Sequence, residues 1–146
     1  CEFWGINTRL DAVHAGIGNI KLKYIDKWNN RYREIAQMYT EGLNSCIEVP
    51  VLKEYEEPVF HRFMICHPER DKLQIFLAEN DIETKVNYPI PLHLQPAAKY
   101  LGYKKGDYPV AEKLANTILS LPLYPELIDN QVLYVIEKIK EFCNNV

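Results

Sequence analysis

Between residues 9 and 41, apolar side chains recur at Val13, Ile17, Ile20, Tyr24, Trp28, Ile35 and Met38. The steps are mostly three, four or seven, so the side chains line up as one stripe on a helical face rather than alternating as in a strand. This spacing predicts a helix of about thirty residues, roughly 45 Å long at 1.5 Å per residue. A compact domain of this size does not need such a length for itself, so the helix is expected to span two bodies. Asn7 or Thr8 reads as the N-cap, Asp11 faces the positive helix end in the first turn, and Gly42 reads as the left-handed stop. Gly16 and Gly18 each cost about 1 kcal/mol relative to Ala inside a helix, which predicts a close backbone approach or a bend there. With no strand before them and no third glycine after, they do not form a phosphate loop.

The remaining chain alternates short elements. Residues 59–66 predict a central strand in which His61 shares a face with Phe63 and Ile65 and is expected to be a half-buried, hydrogen-bonded core histidine. Pro68 opens a helix with Leu73, Phe76 and Leu77 inward and Asn80 at its end, and residues 82–88 predict a second strand. Pro96 starts a short helix ended by Gly102, and Asp107 with Pro109 starts another carrying Val110, Leu114 and Ala115. Residues 118–121 predict a third strand. Asp129 caps a last helix with Val132, Leu133, Ile136, Ile139 and Phe142 on one side. The expected fold class is α+β, a three-stranded sheet with helices, with residues 1–42 as motif loop and long helix and residues 43–146 as a small domain.

The most chemically pointed stretch is Asn87-Tyr88-Pro89-Ile90-Pro91-Leu92-His93-Leu94-Gln95. Pro89 and Pro91 fix their own φ and push the residues before them toward extended backbone, making a stiff non-helical rod. Tyr88 and His93 flank it, so a phenol and an imidazole are held at fixed separation, the arrangement of a binding site. A strand exit with a buried Tyr is the plainer reading of the same residues.

Composition removes several function classes. The net charge is −3 and the lysines are scattered, unlike the basic stripe of a nucleic-acid surface. No apolar run approaches the roughly 20 residues needed to cross a bilayer, so no membrane partner is expected. Cys1, Cys46, Cys66 and Cys143 lack CxxC or metal-type spacing and read as reduced thiols of a cytoplasmic protein. His14, His61, His67 and His93 form no HxxxH pair, so no metal site is expected. The opening Cys1-Glu2-Phe3-Trp4-Gly5, with no initiator Met or signal-peptide pattern, is expected to be an internal stretch of a longer protein.

Three motifs in order, Gly5-x-Asn7-x-Arg9-Leu10-Asp11, Tyr88-Pro89-x-Pro91-Leu92-His93-x-Gln95 and Ser120-Leu121-Pro122-Leu123-Tyr124-Pro125, make nearly the whole chain resemble the C-terminal part of the DegT/DnrJ/EryC1/StrS sugar aminotransferases. The resemblance implies a small C-terminal domain with a mainly antiparallel sheet, preceded by an interface helix, in a fold-type-I enzyme that works as a homodimer. It implies pyridoxal 5'-phosphate as cofactor, held in an upstream domain by a Schiff-base lysine. None of this chain's lysines stands in a comparable motif, so no catalytic residue is assigned here and the piece alone is expected to be inactive. The implied reaction moves an amino group, typically from glutamate, to a nucleotide-linked keto sugar. By resemblance, Asn7 donates to the cofactor phosphate of the neighbouring subunit, and Arg9 lies near the same site. On residue chemistry alone, Asn7 is an N-cap and Arg9 a solvated helix start. Asn87 and Tyr88 match positions near the sugar, with Asn87 standing where the family commonly has His, so it keeps hydrogen bonding but carries no charge. His93 is expected to orient the rod or line the pocket. The alternative is a stand-alone, non-catalytic module for dimerisation or sugar-nucleotide binding. The Val13, Ile17 and Ile20 face is expected to pair with another copy.

Overall fold

The computed structural model describes residues 10–145. Helix α1 (Ala12–Lys21) is followed by a 3-10 turn at Leu22–Tyr24 and then by α2 (Ile25–Leu43). The expected long helix is therefore one helical path interrupted by a tightened turn, where Tyr24 stacks on Trp28 with ring centroids 5.8 Å apart. Asp11 is the N-cap, its carboxylate accepting from the His14 backbone N–H at 2.9 Å and lying 2.7 Å from His14 Nδ1. The apolar stripe divides at the 3-10 turn. Ile35 is fully buried and Met38 packs against the core, whereas Val13, Ile17, Ile20 and Tyr24 are exposed and α1 buries no residue. No atom lies within 4 Å of a Cβ built on Gly16 or Gly18, so no backbone approach explains them among the described residues.

Gly42 is not a left-handed stop. It lies inside α2, and a Cβ there would sit 2.8 Å from Ile136 Cδ1 and Cγ2 on the last helix, α5 (Asp129–Asn145). The missing side chain lets the two helices close on each other, with Ile35, Ala36, Tyr39 and Leu43 facing Val132, Val135, Ile136 and Ile139 in one core. Leu133, assigned from sequence to the same face, is half exposed because α5 turns its Val135 side inward instead.

The sheet has two strands, not three. β1 (Phe63–Cys66) pairs antiparallel with β2 (Ile118–Leu121), Phe63 opposite Leu121 and Cys66 opposite Ile118. Residues 82–88 contribute an isolated bridge, Lys85 to Ser120, with backbone bonds of 2.9 and 3.2 Å. A full third strand is blocked where Tyr88 adopts φ 64° at the start of the proline rod. β1 is also shorter than expected, because Phe60 takes φ 47° and breaks the extended run ahead of Phe63. His61 falls before the strand and is exposed, which overturns its reading as a half-buried core histidine.

Helix α3 (Arg70–Glu79) follows Pro68 and buries Leu73 and Leu77. His67 Nδ1 accepts from the backbone N–H of Glu69, the N-cap residue, at 3.0 Å, and no side chain caps the first turn. Arg70 is buried and donates to the carbonyls of Ala115 and Ile118, pinning the corner between α4 (Pro109–Thr117) and β2. Pro96–Leu101 forms a 3-10 helix closed by Gly102 at φ 78°. Asp107 does not cap α4; its carboxylate accepts from the Lys104 backbone N–H within the preceding turn. Tyr39 is fully buried at the centre, and its hydroxyl donates to Pro122 O at 2.9 Å, so burial pushes its phenol well above the ordinary range. Cys46, Cys66 and Cys143 are free thiols, and no helix is long and apolar enough to cross a membrane among the described residues.

Candidate functional site

The proline rod, the turn before β1 and helix α4 enclose a cavity of about 1140 Å³. Its walls are apolar: Val59, Phe60, Leu92, Leu101, Leu114 and Ile118 are among them. Asn87, Tyr88 and His93 all line this cavity, so three of the expected site residues are brought together. Asn7 and Arg9 lie outside the described residues. A second, more polar cavity of about 640 Å³ lies on the other side of Asn87 and Arg62, which line both.

Each of the three residues is placed by a different device. Asn87 is fixed by its amide, Nδ2 donating to Ser120 Oγ at 2.5 Å, and Ser120 is itself buried in β2. Its Oδ1 remains an acceptor at the seam between the cavities. Tyr88 is held in the left-handed region and is 79% exposed, so its ring stands out at the mouth rather than packing as a strand-exit tyrosine. His93 is the anchored one. Its Nε2 lies 3.0 Å from Glu112 Oε1, its ring packs on Tyr108 with centroids 4.8 Å apart, and only 8% of its side chain is exposed.

Glu112 also accepts from the Gly106 backbone N–H at 2.7 Å, and that bond, followed by the one from His93, holds its carboxyl below the usual range. An ionised carboxylate only accepts, so His93 Nε2 carries a proton and donates. The pair therefore staples the proline rod to α4 and to the turn at Gly106. Tyr103 and Tyr108 pack edge to face at 5.3 Å and complete that wall, and their hydrogen bond raises the Tyr108 phenol.

Backbone strain concentrates here. The described non-glycine residues with positive φ are Phe60, Asp81 and Tyr88; the first and last line the larger cavity and Asp81 the smaller. A left-handed non-glycine residue costs on the order of 1–3 kcal/mol and persists where surrounding structure imposes it, commonly at a ligand site. Sequence reasoning missed Phe60, Arg62, Tyr108 and Glu112. The available signal was Arg62 itself, a permanent charge placed among bulky apolar residues.

The family model for the DegT/DnrJ/EryC1/StrS aminotransferase family matches residues 1–140. The chain belongs to that family. Among curated relatives it is 45% identical over 142 residues to a pleiotropic regulatory protein of Geobacillus stearothermophilus, covering 94% of this chain and 38% of the relative. It is 37% identical over 141 residues to the dTDP-3-amino-3,6-dideoxy-alpha-D-galactopyranose transaminase of Aneurinibacillus thermoaerophilus, covering 96% and 38%. The crystal structure of DesV from S. venezuelae in complex with a ketimine intermediate superposes with a TM-score of 0.90 at 37% identity, over 99% of this chain and 40% of DesV. The chain thus spans about two fifths of the length of these family members.

Proposed function

We propose that this chain is the C-terminal region of a cytoplasmic, pyridoxal-phosphate-dependent aminotransferase that moves an amino group, from glutamate as donor, to a nucleotide-linked keto sugar. The observation that carries the reading is the joining of family membership to one large cavity lined by Asn87, Tyr88 and His93. Among the described residues the lining offers carboxamide, phenol, imidazole and guanidinium but no lysine. It fits the sugar side of a shared site and not the point of covalent coenzyme attachment, so the chain alone is inactive. In the full-length enzyme the coenzyme supplies the electron-withdrawing ring that carries the amino group between donor and acceptor.

The chain's own residues bind and orient. The walls of Phe60, Leu92, Leu101 and Leu114 exclude water and take the apolar face of a sugar or base. Asn87 Oδ1 accepts from a sugar hydroxyl, and the Tyr88 phenol meets the same ligand at the mouth. His93 acts by position, holding the rod through Glu112. Asn7 donates to the coenzyme phosphate across a homodimer interface and Arg9 meets the sugar, and the exposed Val13, Ile17 and Ile20 face of α1 is consistent with burial in that assembly. The test is coenzyme retention in the full-length protein. Asn7→Ala should lose coenzyme on dialysis while its melting temperature is little changed, since a bond to a charged acceptor contributes about 1.5–3 kcal/mol. Equal retention in mutant and parent removes Asn7 from the site.

A second reading, a non-catalytic regulatory or dimerisation module, is favoured by the name of the Geobacillus stearothermophilus relative. Amino transfer by the full-length protein separates the two.

A further inference from the structure

The geometry points to Arg62 as the side chain that reads a substrate oxyanion in the larger cavity, either the carboxylate of the amino donor or the diphosphate of the nucleotide. The assignment rests on the transaminase reading above. The other described arginines are all engaged. Arg31 bonds Glu34, Asp129 and Leu127 O; Arg33 bonds Asn30 and Pro58 O; Arg70 bonds Asp71 and two carbonyls. Arg62 makes no hydrogen bond or ion pair among the described residues, although it lines both cavities.

Its place is fixed by backbone. Phe60 turns the chain at φ 47°, and three residues past it Phe63 locks into register opposite Leu121, so Arg62 is held between a kink and a strand. Charge then decides which cavity takes the ligand. Among the described residues the lining of the larger one holds no Asp, Glu or Lys; Arg62 is the permanent charge among them, and His61 and His93 are the other bases. The smaller one carries Asp81, Glu83 and Lys85, and neither acid forms an ion pair with Arg62. Arg62 is exposed at the edge of these apolar walls, and its fork offers an oxyanion two parallel N–H donors. His61, next in sequence, exposed and lining the same cavity, supplies a further donor to the same ligand.

The experiment is calorimetric titration of the native full-length protein with two probes, glutarate for the donor carboxylate and thymidine diphosphate for the nucleotide. Parent, Arg62→Ala, Arg62→Lys and the surface control Lys140→Ala are compared, with Arg62→Gln substituting if the alanine variant does not fold. The expected result is at least a tenfold weakening of one probe in Arg62→Ala, partial recovery in Arg62→Lys because an ammonium lacks the fork, and no change in Lys140→Ala. A loss confined to glutarate assigns the donor, and a loss confined to the diphosphate assigns the nucleotide. Unchanged binding of both probes in Arg62→Ala overturns the inference, as does a parent that binds neither or an equal loss in Lys140→Ala. Because binding is read without turnover, Arg62-dependent binding in a protein that transfers no amino group would sink the transaminase reading and leave Arg62 standing.

Discussion

Tyr88 shows how one backbone angle serves the site at the expense of stability. Its φ of 64° costs on the order of 1 kcal/mol or more, and its ring buries little area in return. Tyr88→Gly should therefore leave the melting temperature unchanged or raised, while weakening sugar-nucleotide binding several-fold. A clear loss of stability by thermal denaturation would show that the ring has a packing role. The rod was legible only in part: Tyr88, expected to be extended ahead of Pro89, is left-handed, and Leu92–Leu94 close into a 3-10 turn, although Asn87, Tyr88 and His93 do meet at one cavity. His61 was not. Period-two alternation holds only while the strand lasts, and the left-handed Phe60 ends that reasoning before His61 is reached. Arg62 was missed because a charge beside a strand ordinarily faces solvent, and its position over two cavities depends on residues more than twenty positions away.

At the level of elements, periodicity located the helices and failed to say what each face meets. The stripe from Val13 to Met38 is helical throughout, yet only its second half finds the core, because α5 ends its contacts with α2 and nothing described lies over α1. The third strand was lost to a single bridge at Lys85, since the register beyond it is broken at Tyr88. Gly42 was legible as special for the wrong reason: its use is contact with Ile136, invisible without the fold. Gly42→Ala should destabilise by about 1–3 kcal/mol through overpacking, read from chemical denaturation, since Ile136 is buried and β-branched and has little room to move. A neutral outcome would mean that α2 and α5 can separate freely.

The His93–Glu112 staple makes a pH prediction on the same scale. The Glu112 carboxyl is lowered from 4.5 in the folded chain, first by the Gly106 amide and then by His93. A depressed acid contributes stability that is present above its unfolded value and lost as pH falls through its folded value. The Gly106 turn should therefore loosen below about pH 4.5, and Glu112→Gln should abolish that dependence. Amide exchange at Gly106 that is flat across this range in the parent would contradict the staple.

As a whole, the chain has one packed core of helices on a two-stranded ladder, with a large apolar cavity on one side and a helix, α1, that no other described element covers. Its relatives are more than twice as long, and the DesV superposition at TM-score 0.90 extends over almost all of this chain and 40% of that one. An uncovered face and a cavity without a lysine are what a part of a larger catalyst would present, and the proposal that the remaining machinery lies elsewhere in the full-length protein follows from both. The most direct measurement is transfer of isotope-labelled nitrogen from glutamate to a dTDP-linked keto sugar, followed by mass spectrometry. It should be run on the full-length protein supplied with pyridoxal phosphate and, in parallel, on these 146 residues alone. Label should appear in the sugar with the full-length protein and be absent with the short chain; transfer by the short chain, or none by the full-length protein across nucleotide-linked keto sugars, would contradict the account.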